Sequence, residues 1–163
     1  MGIRFNADEV LQMAIRAEQE AVAFYRKAAD RHASEADCSF LLKLADMEKE
    51  HERIFAAMRR ELGEGAREET AFDPDNEAAL YLGAMVDGAG IEGAPRAAAA
   101  LTGRESLRDI LKIGLQMEKN AVLFYQGFLD MVPAKLGGDW LRKIIDEEKK
   151  HIVAFVRELR KLG

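Results

Sequence analysis

Apolar residues recur along much of this chain at the three-and-four spacing of amphipathic helices. In the first segment Val10, Leu11, Ala14, Ile15, Ala21, Val22, Tyr25 and Ala28 keep that spacing behind an Asn6…Glu9 capping-box pattern, predicting a helix from Ala7 to about His32. A second helix is expected from about Glu35 to Leu62, closed by Gly63 and Gly65. The third starts after Thr102, whose partner three residues on is Glu105, and runs to about Met131. Pro133 to Gly138 makes a turn, and a fourth helix reaches about Leu162. Residues 63–103 lack long periodicity, because Asp73-Pro74-Asp75, Gly88, Gly90, Gly93, Pro95 and Gly103 interrupt it; only short helices near Asn76–Val86 and Arg96–Leu101 fit there. The expected fold is all-α: one domain over 1–163, with hairpins 7–62 and 104–163 joined by a crossover, 63–103, long enough to span a four-helix bundle.

An internal repeat underlies this layout. Adding 100 to a residue number carries Glu18 to Glu118, Ala21-Val22 to Ala121-Val122, Phe24-Tyr25 to Phe124-Tyr125, Glu48 to Glu148, His51 to His151 and Phe55 to Phe155. In the second helix Leu41, Leu44, Glu48, His51, Phe55, Met58 and Leu62 alternate steps of three and four, the seam that faces a core. The fourth repeats it with Leu141, Ile144, Glu148, His151, Phe155, Leu159 and Leu162, while Leu11, Glu18, Tyr25 and Leu111, Glu118, Tyr125 fall seven apart in the first and third. Four carboxylates and two imidazoles are thereby aimed inward. Glu20 and Glu50, two residues away from ligand positions, turn to the far face. Glu147 lies about 100° off the seam, opposite Met47 in the repeat, and is left outside the inward set.

Four buried carboxylates repel one another or take up protons unless something neutralises them. Two divalent cations bring +4 against the −4 of Glu18, Glu48, Glu118 and Glu148, and His51 and His151 supply neutral nitrogens. One Glu from each of two helices and a Glu-x-x-His from each of the others is the donor pattern of carboxylate bundles holding iron or manganese pairs. Mixed carboxylate and imidazole donors favour two iron ions, with Mn or Zn possible in their place. The alternative is a metal-free bundle with these acids on solvated faces or in salt bridges. Tyr25 and Tyr125, two turns beyond Glu18 and Glu118, are candidate catalytic residues whose hydroxyls bond the carboxylates or a bound oxygen species; otherwise they are core aromatics. Phe24, Phe55, Phe124, Phe155 and Trp140 read as packing, as do Met47 and Met117, and His32 as an exposed residue near a helix end.

The totals narrow the function classes. A chain of 163 residues with 48% hydrophobic and 33% charged residues can bury a sizeable core. A net charge of −5 without a basic block argues against nucleic acid as a partner. The single cysteine, Cys38, excludes a disulfide framework and a Cys-rich metal site. The opening MGIRFNADEVLQM has no apolar run and no stretch approaches a membrane span, so a cytoplasmic location is expected.

With Glu18 and Phe24-Tyr25, EKEH at 48–51, EKNAVLFY at 118–125 and EKKH at 148–151, the chain resembles the rubrerythrin family of the ferritin-like superfamily across both hairpins. The resemblance implies a di-iron centre in which Glu48 and Glu148 bridge the metals while Glu18, Glu118, His51 and His151 are terminal ligands. It also implies reduction of hydrogen peroxide with electrons from a small redox protein. One cysteine cannot build the four-cysteine rubredoxin domain of rubrerythrins proper, so the donor is expected to be a separate molecule. Their additional Glu, three residues after the third-helix ligand, is replaced by Ala121, leaving a six-residue set similar to that of bacterioferritin. The expected function is therefore peroxide or oxygen reduction at a di-iron centre. Ferroxidase or iron-storage activity is the alternative, followed by a non-catalytic metal-stabilised module. A homodimer, with hairpins exchanged through the long connection, is the expected assembly.

Overall fold

A computed structural model describes residues 7–31, 34–62, 77, 80–81, 93–129 and 138–163. His32, the Asn6 cap, the turn at 133–137 and most of the crossover lie outside these residues. The described elements are helical: α1 (Ala7–Ala29), α2 (Glu35–Glu61), α3 (Gly93–Ala100), α4 (Leu107–Leu129) and α5 (Gly138–Lys161). Helix α1 packs along α2, and α4 along α5, giving the two expected hairpins. The architecture is a ferritin-like all-α bundle, and among the described residues no helix is long and apolar enough to cross a membrane.

The ends of these helices follow local chemistry. Ser34 caps α2 by accepting from the Asp37 amide. The third long helix begins at Leu107, four residues later than the Thr102 cap predicts. Two Ser/Thr-x-x-acid boxes follow one another here, and the second wins: Ser106 Oγ accepts from the Asp109 amide while Asp109 accepts from the Ser106 amide. Glu105 instead binds the amides of Thr102 and Gly103 in the preceding turn, where Gly103 takes a φ of +87° that favours glycine. These bonds, first of all the one from the Thr102 amide, hold the Glu105 carboxyl down at about 2.

Two short pieces of the crossover region rest on the bundle. Lys27 Nζ donates to the Ala98 carbonyl at 2.6 Å and Arg31 to Leu101 at 2.8 Å, tying α3 to the end of α1. Tyr81, which is helical, donates its hydroxyl to the Leu123 carbonyl and lays its ring over Gly127, where a Cβ would collide with it.

Two apolar clusters fill the bundle. One gathers Leu11, Phe55, Phe124, Tyr125, Leu141 and Ile144; the other gathers Phe24, Tyr25, Leu41, Leu44, Leu111 and Phe155. The first draws on the start of α1 and the end of α2, the second on the opposite ends, so the helix midpoints fall between them. Gly114 lets the Phe155 ring approach α4, since a Cβ there would lie 2.6 Å from it. Trp140 departs from its expected packing role. It stands one residue off the Leu141–Ile144 seam, is half exposed, and carries the Lys143 ammonium 5.1 Å above its ring. Leu162 falls beyond the end of α5 and is also exposed.

Candidate metal centre

Glu18, Glu48, His51, Glu118, Glu148 and His151 are the buried polar and charged residues at the middle of the bundle, each at most 3% exposed. The seam register explains why one layer collects them: α1 and α4 each contribute one carboxylate, and α2 and α5 each contribute a carboxylate and an imidazole one turn on. They fall into two overlapping sets. Glu18, Glu48, His51 and Glu148 converge within 4.8 Å of one another, as do Glu48, Glu118, Glu148 and His151.

The shared members span both sets with separate oxygens. Glu48 Oε2 lies 3.0 Å from His51 Nδ1 and Oε1 lies 3.1 Å from His151 Nδ1. Glu148 Oε1 lies 3.0 Å from His51 Nδ1 and Oε2 lies 2.9 Å from His151 Nδ1. Glu18 approaches His51 at 4.0 Å and Glu118 approaches His151 at 3.3 Å. The imidazoles stack with centroids 5.8 Å apart.

Each tyrosine serves the opposite half. Tyr25 of α1 donates its hydroxyl to Glu118 of α4, and Tyr125 of α4 donates to Glu18 of α1. The pattern along one helix places a tyrosine two turns from its own glutamate; only helix pairing across the halves produces the exchange. Glu50 is exposed, as its register requires. Glu147, left outside the inward set, is only 28% exposed and meets His51 Nε2 at 2.9 Å.

The electrostatics follow from burial and crowding. Burial, then the charges of Glu48 and Glu148, raises Glu18 and Glu118 well above the usual carboxylate range. Burial raises Tyr25 and Tyr125 as well, reinforced by the carboxylates each one binds. Burial alone would lower His51, but the close carboxylates of Glu148 and Glu48 push it up to about 12, and His151 rises in the same way. Burial is likewise opposed at Glu148, where the close imidazoles of His151 and His51 hold the carboxyl below its ordinary value.

This donor set fits a pair of cations better than it fits protons. A single Nδ1–H can serve one oxygen, yet His51 Nδ1 faces Glu48, Glu148 and Glu18, and His151 Nδ1 faces Glu48, Glu118 and Glu148. Among the described residues Glu48 Oε1 and both Glu148 oxygens are buried without a properly directed hydrogen bond. Over the cluster, a cavity of about 40 Å³ opens between α1 and α4, bordered by Ala17, Ala21, Met117, Asn120 and Ala121.

A helical bundle with two fused carboxylate–imidazole sets at its midpoint defines the class of ferritin-like carboxylate metal-site proteins. The chain belongs to the rubrerythrin family, whose sequence profile matches residues 9–159. Its fold is also similar to a crystal structure from Thermotoga maritima described as that of a ferritin-like diiron-carboxylate protein. That likeness has a TM-score of 0.73 at 22% identity over 100% of both chains. Comparison with curated proteins gave no match.

Proposed function

We propose that this protein is a di-iron oxidoreductase that reduces hydrogen peroxide, or oxygen, with electrons delivered by an external small redox protein. The observation that carries the reading is the pair of fused donor sets, in which Glu48 and Glu148 each offer one oxygen to either side. Glu18, His51, Glu118 and His151 would complete the shells of two iron ions, with Mn or Zn able to occupy the same donors. When bound, the ions would supply electrons and Lewis acidity.

The chain's own residues set the conditions for that chemistry. Tyr25 and Tyr125 fix the orientation of Glu118 and Glu18 through their hydroxyls, so the terminal carboxylates are held before any ion arrives. The cavity of about 40 Å³ over the cluster has room for a molecule the size of peroxide. Converting one hydrogen peroxide to two waters consumes two electrons and two protons. One cysteine cannot build a rubredoxin-type iron site, which supports assigning those electrons to a separate donor.

Ala121 favours a second reading, ferroxidase or iron-handling activity. It borders the cavity where rubrerythrins carry an additional carboxylate, leaving a set similar to that of bacterioferritin. Stopped-flow mixing of the Fe(II)-loaded protein with peroxide decides between them. Rapid stoichiometric oxidation, faster than with oxygen, is expected; sluggish reaction with peroxide overturns the peroxidase reading. Sedimentation of the same material should show a homodimer, whereas a large shell accumulating many irons per chain would mark storage.

A further inference from the structure

The two halves of the cluster differ in what stands behind each imidazole. His51 and His151 both turn Nδ1 toward the central carboxylates, but their other ring nitrogens meet different surroundings. His51 Nε2 lies 2.9 Å from Glu147 Oε2. His151 Nε2 is buried and has no hydrogen-bond partner among the described residues. The repeat explains why: the residue before Glu148 is Glu147, while the residue before Glu48 is Met47, whose thioether is a weak acceptor.

That difference changes how well each ring can donate to a metal. A neutral imidazole carries its proton on one nitrogen, and only the other can bind an ion. A carboxylate at Nε2 holds the proton there, leaves the Nδ1 lone pair facing the cluster, and makes that nitrogen more basic. Glu147, 2.9 Å from Nε2, is placed to do this for His51. For His151 nothing among the described residues prevents the proton from sitting on Nδ1, where it blocks the site. Glu147 keeps enough solvent contact, at 28% exposure, to remain outside both donor sets.

We propose that Glu147 is a positioning residue for His51, and that it makes the Glu18–His51 side the tighter of two inequivalent metal positions, filled first and emptied last. The Glu118–His151 side is the exchangeable one. This inference rests on the reading that the six buried residues hold a metal pair, and it adds an order of filling that the pseudo-symmetric ligand set does not contain.

The test is an equilibrium titration of metal-stripped, full-length protein with Co(II) against a chromophoric chelator, with circular dichroism establishing that each variant is folded. The wild type should bind two Co(II) per chain in two resolved steps. Glu147→Ala should weaken the tighter step by roughly 10- to 100-fold and bring the two steps together. Glu147→Gln, which keeps an acceptor oxygen without the charge, should recover part of that loss. Met47→Glu should tighten the weaker step; if that variant does not fold, Glu147→Ala decides alone. Equal weakening of both steps in Glu147→Ala, or none, overturns the proposal. Fewer than two Co(II) bound by the wild type overturns the metal-pair reading beneath it.

Discussion

Replacing Tyr125 by phenylalanine isolates one hydroxyl in the centre of the protein. The ring is 1% exposed and packs against Phe55 and Phe124 at centroid distances of 5.0 and 5.5 Å, contacts that phenylalanine preserves. What disappears is the bond to Glu18. In the metal-free protein Glu18 is raised toward its neutral form by burial and by Glu48 and Glu148, so the bond has neutral character and removing it costs about 0.5–1.5 kcal/mol. With cations present Glu18 is ionised, and the same bond is worth about 1.5–3 kcal/mol. The difference, about 1 kcal/mol, predicts roughly fivefold weaker metal uptake by Tyr125→Phe on top of the loss in urea stability. A double-mutant cycle supplies the sharper assay. Tyr125→Phe should couple to Glu18→Gln by about 1 kcal/mol and add nearly independently to Glu118→Gln, with the reverse for Tyr25→Phe. Coupling of Tyr125 to Glu118 and not to Glu18 would refute the crossed arrangement.

Three further outcomes follow from the same geometry. Gly114→Ala places a methyl group 2.6 Å from the Phe155 ring, and the overpacking, about 1–3 kcal/mol, should outweigh a helix-propensity gain of about 1 kcal/mol in urea unfolding. Metal uptake should release protons from His51, His151, Glu18 and Glu118, measurable with a pH indicator in weak buffer, and loading should weaken as pH falls. Metal-free stability should fall as pH rises above about 6.5, because a group raised on folding stabilises fully below its unfolded value and loses that as pH climbs toward the folded one, about 12 for His51. Glu18 and Glu118 act in the same direction from 4.5 upward, while Glu148, lowered on folding, withdraws its contribution below 4.5. Urea midpoints of the chelator-treated protein should therefore peak in mildly acidic buffer; a midpoint rising from pH 6 to 9 would contradict the charge assignment.

The helices and the six central residues were legible in the sequence because both depend on register alone. Leu41, Leu44, Phe55 and Met58 fix which way Glu48 and His51 face, whatever they face, and the repeat at 100 residues confirms the register independently. What could not be read depends on pairing between helices or on competition between neighbours. The crossing of Tyr25 to Glu118 needs to know that α1 and α4 lie side by side. The late start of α4 needs the outcome between two successive caps, Thr102–Glu105 and Ser106–Asp109. Glu147 stays outside both donor sets, as its offset from the seam predicts, but its contact with His51 depends on helix pairing. Its angular offset is real, yet a carboxylate standing where the other half has Met47 was a visible break in the repeat beside a ligand.

Charge balance explains how one apolar bundle can tolerate this cluster in two states. Without metal, His51 and His151 are pushed toward their charged forms and Glu148 is held in its own, while burial pushes Glu18 and Glu118 toward their neutral forms, so opposite charges meet at the centre. With two dications bound, neutral imidazoles and four ionised carboxylates would bring the centre to zero. A net charge left among Phe55, Phe124, Phe155 and Leu111 would be very costly in their low dielectric. The exchange between the states is therefore an exchange of protons for metal, and any residue that fixes where a ring proton sits controls it. Glu147 does so on one side only, which is why the balance can be symmetric while the order of filling is not.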